Sequence, residues 1–247
     1  MIAIDLGRAL HPALIGADCG LVLDPWQVAL MREQHPRILM CCSRQSGKST
    51  VASLIAISTA LTHPSALVLL ISPSQRQSAE LFRSLMVHFR QLADVPEIKS
   101  ESVLRLELMN GSRIIALPGE SNTVRGYSGA TLIICDEAAR IPDELLAAIR
   151  PMLATSNGRL IALSTPHGRQ GWFFEAWHGD PYWHRVRVSA DQCPRISKEF
   201  LDEEMRELGP QRYAEEYQLA FLDAQSAIFS ALLIARAFTS EVAPLWQ

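Results

Sequence analysis

The sequence contains no apolar run long enough to span a membrane, and its N-terminus lacks a basic segment followed by an apolar one. We therefore expect a cytoplasmic protein. The five cysteines show no metal-binding spacing, and the adjacent Cys41 and Cys42 would point to opposite faces of a strand. We expect all five to be small buried side chains with free thiols. Internal repeats and low-complexity segments are also absent from the sequence.

Lysine is scarce, since Lys48, Lys99 and Lys198 stand against twenty arginines in 247 residues. The net charge of −3 gives no sign of a nucleic-acid-binding protein. Residues 198–223 carry three basic and eight acidic side chains, and the remaining chain carries twenty basic and eighteen acidic ones. The body of the chain is thus close to neutral and rich in arginine, which leaves room for a local basic patch.

One of the three lysines lies in a segment with the pattern of a phosphate-binding loop. The apolar run 37–42 indicates a buried strand, residues 43–50 form a polar loop with a Gly-Lys-Ser triplet, and residues 51–57 indicate a buried helix. Loop amides and the helix N-terminus would direct donors at phosphates. Lys48 would reach the β- and γ-phosphates, and Ser49 would ligate Mg²⁺.

The loop departs from the general pattern at its first position. Cys42 stands where the pattern has a glycine, so we expect a less permissive first turn, whereas Gly47 keeps the close backbone approach. The alternative interpretation is a chance Gly-Lys-Ser triplet in a helix cap. The order of strand, loop and helix argues against that alternative.

A second chemical landmark is the apolar segment 131–138, which indicates a strand that ends in Asp136 and Glu137. The carboxyl ends of strands in an α/β sheet are where ligands bind. Asp136 would belong to the Mg²⁺ shell, and Glu137 would orient and activate the attacking water. The alternative is an acidic pair that caps a helix over residues 142–153.

The segment 159–166 indicates another buried strand, which ends in Ser164 and Thr165. These hydroxyls could sense the γ-phosphate and relay its loss. The alternative is an ordinary strand end before a proline turn. We favour a functional role because this strand would end beside the carboxylates.

Trp26 and Gln27 precede the lysine loop by about twenty residues, after Asp24 and Pro25, which suit a helix start. A glutamine amide can pair with both the donor and the acceptor edge of adenine. The alternative is a surface glutamine beside a core tryptophan. The nearby lysine loop favours the adenine contact.

The other segments predict an α/β fold with a parallel sheet covered on both faces. Residues 66–72 indicate a buried strand, 74–92 an amphipathic helix and 104–117 a hairpin around Asn110-Gly111. Residues 118–130 indicate a polar loop that contains Arg125. An aromatic helix over 171–177, a half-buried strand over 182–189 and acidic helices over 197–220, interrupted at Gly209-Pro210, complete the prediction.

These motifs together resemble the ATPase domain of the large terminase subunit of tailed bacteriophages, the DNA-packaging motor. Trp26-Gln27 resembles the adenine motif, residues 43–49 the Walker A motif, and 133–139 the Walker B motif with its catalytic glutamate. Residues 163–166 resemble the coupling motif of that family. Arg44 and the missing first glycine are similar to features of the family's Walker A loop.

The resemblance implies a P-loop NTPase of the RecA-like (ASCE) type, with a mainly parallel central sheet, flanking helices and a small C-terminal helical lid subdomain. We expect an ATPase core over residues 1–195, and a lid with the start of a linker over 196–247. The nuclease half of the family would not fit in the remaining residues, so we expect an isolated or truncated motor domain without nuclease activity.

The resemblance also implies ligands and partners. We expect binding of ATP and Mg²⁺, and hydrolysis that drives double-stranded DNA into a procapsid at the portal in the host cytoplasm. The implied partners are the portal protein, the small terminase subunit and further copies of the chain in a ring. The catalytic residues would be Glu137 and Lys48, with Arg44 acting in cis and Arg125, or second Arg140, acting in trans.

The nucleotide-binding residues implied by the matched motifs are Trp26, Gln27, Ser43, Arg44, Gln45, Ser46, Gly47, Lys48, Ser49, Thr50, Ser164 and Thr165, with Ser49 and Asp136 toward the metal. Two other functions stay open. A RecA-like helicase shares most of these motifs but needs a second motor domain. A nucleotide-dependent DNA-binding assembly switch would need the Mg²⁺ ligands but not Glu137.

Overall fold

The computed structural model describes residues 2–119, 124 and 126–223. One mixed sheet of eight strands organises these residues, in the order β3-β4-β5-β2-β6-β7-β1-β8. Strands β5, β2, β6, β7, β1 and β8 run parallel, whereas β3, β4 and β5 are joined antiparallel. The predicted α/β class with a mainly parallel sheet is confirmed.

The strands are β1 Arg37–Cys42, β2 Leu67–Ser72, β3 Ile98–Ser102, β4 Arg105–Leu108, β5 Arg113–Pro118, β6 Leu132–Asp136, β7 Arg159–Ser164 and β8 His184–Val188. The α-helices are α1 Ile2–Leu10, α2 Leu14–Asp18, α3 Pro25–Arg32, α4 Lys48–Thr62, α5 Gln75–Gln91, α6 Asp143–Ile149, α7 Gly171–Gly179 and α8 Lys198–Glu216. Short 3₁₀ turns lie at Ala138–Arg140, Arg150–Leu153 and Ala190–Gln192.

Helices cover both faces of the sheet, which explains why its central strands are continuously apolar. Side chains alternate along β2, so Val68 and Leu70 belong to one core cluster and Leu69 to the other. The first cluster includes α4 and α5, and the second includes α6 and α7. Helix α4 has nine buried residues because it packs on the sheet and is also contacted by α5 and by the N-terminal helices α1, α2 and α3.

Several local predictions are confirmed. The β4–β5 hairpin turns at Asn110 and Gly111, and α5 buries Leu81, Leu85 and Phe89 as its periodicity predicts. Helix α8 contains the expected interruption, since Gly209 has a non-helical φ of 72°. All five cysteines are buried and free.

Other regions differ from the prediction or lie outside the described residues. The sequence patterns above assign no element before residue 24, whereas the structure has α1 at Ile2–Leu10 and α2 at Leu14–Asp18. Strand β8 begins at His184, two residues later than predicted. Helix α8 has a small hydrophobic cluster of its own around Tyr213 and Tyr217. The boundary of the lid at residue 196 stays a prediction, and residues 224–247 lie outside the described part.

No helix within residues 2–119 and 126–223 is both long and apolar enough to cross a lipid bilayer.

Candidate nucleotide-binding site

The predicted phosphate loop connects β1 to α4 at the carboxyl edge of the sheet. Gln45 and Gly47 have positive φ angles of 57° and 89°. Within the described residues, the amides of Gln45, Ser46 and Gly47 donate no hydrogen bond to another protein group. The loop therefore presents unused donors at a helix N-terminus, the arrangement that binds phosphate.

The expectation of a less permissive first turn at Cys42 is wrong. Cys42 is the last residue of β1, pairs with Val188 of β8 and is fully buried. The turn begins after it, and the positive φ angles fall at Gln45 and Gly47. A side chain at position 42 therefore meets no steric conflict, since extended backbone accepts any residue.

The two carboxylates predicted from the sequence lie against the loop. Asp136 is 8% exposed, and its Oδ2 accepts a hydrogen bond from Ser49 Oγ at 3.2 Å. Glu137 Oε1 lies 3.1 Å from Lys48 Nζ. Glu137 itself has a positive φ of 51°, a sparsely populated conformation for a non-glycine residue that is common at functional sites.

The charges of this group are strongly coupled. Burial raises the pKa of the Asp136 carboxyl to about 6, and the adjacent Glu137 adds to the effect. Burial opposes the charge on Lys48, but the carboxylates of Glu137 and Asp136 outweigh it and raise the pKa of Lys48 above its ordinary value. The site therefore holds a charged lysine between two carboxyl groups.

The donor set of this site suits Mg²⁺. Ser49 and Asp136 offer oxygen atoms, which are the ligands that this ion prefers. The raised pKa of Asp136 indicates that the protein alone compensates its negative charge incompletely. A divalent cation beside Asp136 would supply the missing positive charge.

A cavity of about 730 Å³ opens in front of the loop. Its lining residues come from the loop, from α5 and from the ends of β6 and β7: Arg44, Gln45, Gly47, Lys48, Ser49, Thr50, Gln77, Glu137, Arg140 and Thr165. The structure thus brings most of the predicted site residues together. Ser43, Ser46, Ser164 and Asp136 lie behind this lining and are buried.

The hydroxyls of Ser46 and Ser164 have no hydrogen-bond partner within the described residues. Ser164 is the last residue of β7, and in register it pairs with Cys41 of β1. Only Thr165 of the two predicted sensor residues reaches the cavity. Ser164 therefore does not line the cavity, although the sequence pattern predicted the same role for both hydroxyls.

Of the two adenine-motif residues, Gln27 contacts the phosphate loop. Gln27 is 1% exposed, its Oε1 accepts the Asp24 N–H at 2.9 Å, and its Nε2 donates to the Gly47 carbonyl at 3.3 Å. Trp26 packs against the first core cluster. A contact between Gln27 and adenine would therefore have to share an amide that already holds the loop.

Arg44 binds the far end of α8. Its backbone N–H donates to the Glu216 carbonyl at 3.0 Å, and its Nε lies 2.8 Å from Glu216 Oε2. Arg140 lies near the carboxylate of Glu137, with its Nε 3.9 Å from Glu137 Oε2. Arg125 lies outside the described residues.

Three contributors to this region were not found from the sequence, namely Gln77, Arg195 and Glu216. Gln77 lies near the start of α5, and it follows β2, which neighbours β6. The rule that ligands bind at the carboxyl edge of the sheet could have indicated it. Arg195 donates from Nη2 to Asp24 Oδ2 and to the Ser46 carbonyl, both at 2.8 Å.

The chain is similar to several known proteins. It is 32% identical over 176 residues to the large terminase subunit of Thermus virus P23-45. The matched region covers 62% of this chain and 36% of that protein. The chain spans about a third of the length of the curated terminases that it matches.

Solved structures show the same fold. The ATPase domain of the large terminase of Thermus phage P74-26 superimposes with a TM-score of 0.74 at 24% identity, over 84% of this chain and 97% of that domain. The large terminase of another thermophilic bacteriophage, in complex with ATP-γ-S, gives a TM-score of 0.65 at 13% identity, over 81% of this chain and 53% of that protein.

A family model also matches most of the chain. It describes the N-terminal part of the terminase large subunit of the T4-like virus type, and it covers residues 39–236, which include the lysine loop, both carboxylates and α8. This chain therefore belongs to the family of terminase large subunits, as their N-terminal domain.

Proposed function

We propose that this chain is the ATPase motor domain of a terminase, which hydrolyses ATP with Mg²⁺ to move double-stranded viral DNA into a procapsid. The observation that carries the proposal is the pairing across the loop. Lys48 contacts Glu137, and Ser49 contacts Asp136, at one edge of the sheet and beside loop amides that donate no hydrogen bond within the part of the chain that the structure describes. A site with only a structural role would not need a buried lysine and two carboxylates at this place.

The Lys48–Glu137 ion pair implies that nucleotide binding precedes activation of Glu137. A triphosphate that enters the loop would compete for Lys48, because Lys48 would then face phosphate oxygens in place of the carboxylate. Glu137 would be released from its ion pair and become free to accept a proton from water. The catalytic base would thus be unmasked by the substrate itself.

The other site residues have supporting roles. The amides of residues 45–47 would bind the phosphates, together with Thr50 at the start of α4. Ser49 and Asp136 would hold Mg²⁺, which supplies charge neutralisation on the phosphates. Thr165 would contact the γ-phosphate side, and Ser164, Ser43 and Ser46 would support the loop from below.

The base side of the nucleotide would lie toward α3. Trp26 and Gln27 remain our candidates for adenine contacts, with the qualification that Gln27 also holds Gly47. Arg44 would act in cis if it left Glu216 for a phosphate.

Family membership supports the remaining partners of the proposal. We propose a homo-oligomeric ring that works with double-stranded DNA, the portal protein and the small terminase subunit. A neighbouring subunit would supply an arginine that stabilises transition-state charge. Arg125 is the first candidate for this role, and Arg140, which follows the strand end that carries Asp136 and Glu137, is the second.

The test is ATP hydrolysis by the wild type and by Lys48→Ala, with and without double-stranded DNA. We expect slow hydrolysis by the wild type that falls at least about tenfold in the variant, because the variant loses its phosphate contact. Lys99→Ala is the matched control, since Lys99 pairs with Glu107 on the hairpin edge of the sheet. Equal hydrolysis by the wild type and Lys48→Ala would sink the proposal.

A further inference from the structure

Arg195 joins three separate segments of the chain behind the phosphate loop. Its Nη2 donates both hydrogens, one to the carboxylate of Asp24 before α3 and one to the carbonyl of Ser46 in the loop. Gln27 closes the network, because it bonds the Asp24 N–H and the Gly47 carbonyl. The loop backbone is therefore held at two adjacent carbonyls by side chains from outside it.

The packing at Gly47 shows how tightly this network encloses the loop. A Cβ atom at Gly47 would lie 2.7 Å from Arg195 Nη2 and 2.8 Å from Gln27 Nε2. The position also has a φ of 89°. The left-handed backbone favours glycine here, and a side chain at this position would displace the ends of Arg195 and Gln27 from the loop.

Arg195 also compensates a buried negative charge. The Asp24 side chain is 8% exposed, and within the described residues its one ion pair is with Arg195. Without Arg195, the Asp24 carboxylate would keep only its favourable place at the N-terminus of α3 and would remain poorly solvated behind a loop that has to accept a phosphate anion. Such a charge would be costly in itself and would repel the ligand.

We propose that Arg195 is a positioning residue for nucleotide binding, which neutralises Asp24 and holds the Ser46 carbonyl so that the loop amides stay directed into the site. This inference rests on the proposed nucleotide-binding function. It also gives α8 a second connection to the loop: Arg195 lies three residues before α8 begins, and Glu216 at its last residue pairs with Arg44. Both ends of α8 are thus tied to the loop.

The test compares Arg195→Ala, Arg195→Lys, Asp24→Asn and the double variant Arg195→Ala/Asp24→Asn. Calorimetry gives the ADP affinity of each variant, and a hydrolysis assay at saturating ATP gives its kcat. Thermal denaturation checks that each variant is folded. We expect Arg195→Ala to weaken ADP binding about tenfold, because it leaves Asp24 unpaired. The ADP affinity of Arg195→Lys should lie between those of Arg195→Ala and the wild type, since lysine keeps the charge but loses the two hydrogen bonds in their fixed geometry.

The double variant carries the decisive result. If Asp24 repels the nucleotide once Arg195 is gone, removing both charges should restore ADP affinity to within about threefold of the wild type. We expect kcat to stay within about twofold throughout, because Lys48–Glu137 and Ser49–Asp136 are separate contacts. Arg185→Ala is the control, since Arg185 binds backbone carbonyls at the end of α7.

Two outcomes would overturn the inference. One is ADP affinity in Arg195→Ala within twofold of the wild type, and the other is a double variant that binds no better than Arg195→Ala. If the wild type binds ADP normally, either result refutes the role of Arg195 and leaves the proposed nucleotide-binding function intact. Failure of the wild type to bind ADP would instead overturn the proposed function, and this inference with it.

Discussion

The ion pair between Lys48 and Glu137 makes an unusual prediction for the variant Glu137→Gln. Removing a catalytic base commonly leaves ligand affinity unchanged. Here the Glu137 carboxylate forms an ion pair with Lys48, the lysine that would bind the phosphates, with Oε1 3.1 Å from Nζ. We therefore expect Glu137→Gln to bind nucleotide more tightly than the wild type and to hydrolyse it much more slowly.

The magnitude follows from the exposure of the pair. The Lys48 and Glu137 side chains are 12% and 23% exposed, so their attraction is only partly screened by water. A pair of this kind is worth about 1 kcal/mol, the upper end of the range for surface pairs. Because glutamine keeps the shape but not the charge, ADP affinity should rise about fivefold. Hydrolysis should fall by at least about 100-fold, the usual contribution of a general base.

Calorimetry with ADP separates the two effects, because ADP cannot be hydrolysed and its β-phosphate is within the expected reach of Lys48. Glu144→Gln is the matched control, since Glu144 is an exposed residue of α6 and the substitution changes the net charge equally. Weaker ADP binding by Glu137→Gln than by the wild type would refute the competition for Lys48. Hydrolysis within threefold of the wild type would refute the catalytic role of Glu137.

Two further predictions concern buried residues of the site. Asp136→Asn should raise the free energy of unfolding of the Mg²⁺-free protein by at most about 3 kcal/mol at pH 7.5, because the folded-state pKa of about 6 exceeds the ordinary value of 3.8 and makes the charged form unfavourable. The wild type should therefore gain stability as the pH falls from 7 toward 4 and approach the variant, and urea denaturation at several pH values would show a constant difference if this is wrong. Cys42→Gly restores the general loop pattern, yet we expect it to lower stability by about 1–3 kcal/mol and to leave ADP affinity unchanged, since Cys42 is a buried strand residue of the first core cluster. Tighter ADP binding by Cys42→Gly in calorimetry would show that the first glycine matters here after all.

The main strands and the carboxylate site could be predicted from the sequence because their signals are local. Strand β6 is an uninterrupted apolar run that ends with Asp136 and is followed directly by Glu137, and β1 is followed directly by the lysine loop. Parallel strands present their carboxyl ends at the same edge, so two local patterns sufficed to place Lys48 near Glu137. The contact at 3.1 Å agrees with that expectation.

The depth of individual side chains was harder to predict. Ser164 and Thr165 are neighbours, and their pattern gave them the same role. Successive side chains near a strand end point in different directions, so Thr165 lines the cavity although it is only 3% exposed, whereas Ser164 is fully buried and does not line it. The N-terminal helices escaped prediction for another reason, since α1 and α2 are short and are anchored by contacts such as Arg8 with Asp18 and the Ala93 carbonyl.

The support of the loop was beyond sequence reasoning, because its residues are distant in the chain and individually unremarkable. Arg195 follows a proline in an irregular segment and lies 149 residues from Ser46, whose carbonyl it binds. Glu216 is one of several acidic residues in α8, and it lies 172 residues from Arg44. A motif identifies residues that must touch the ligand, since their chemistry fixes their type and spacing. Residues that hold the loop from outside can come from any segment that the fold brings there, so only the three-dimensional contacts distinguish Arg195 from the other nineteen arginines.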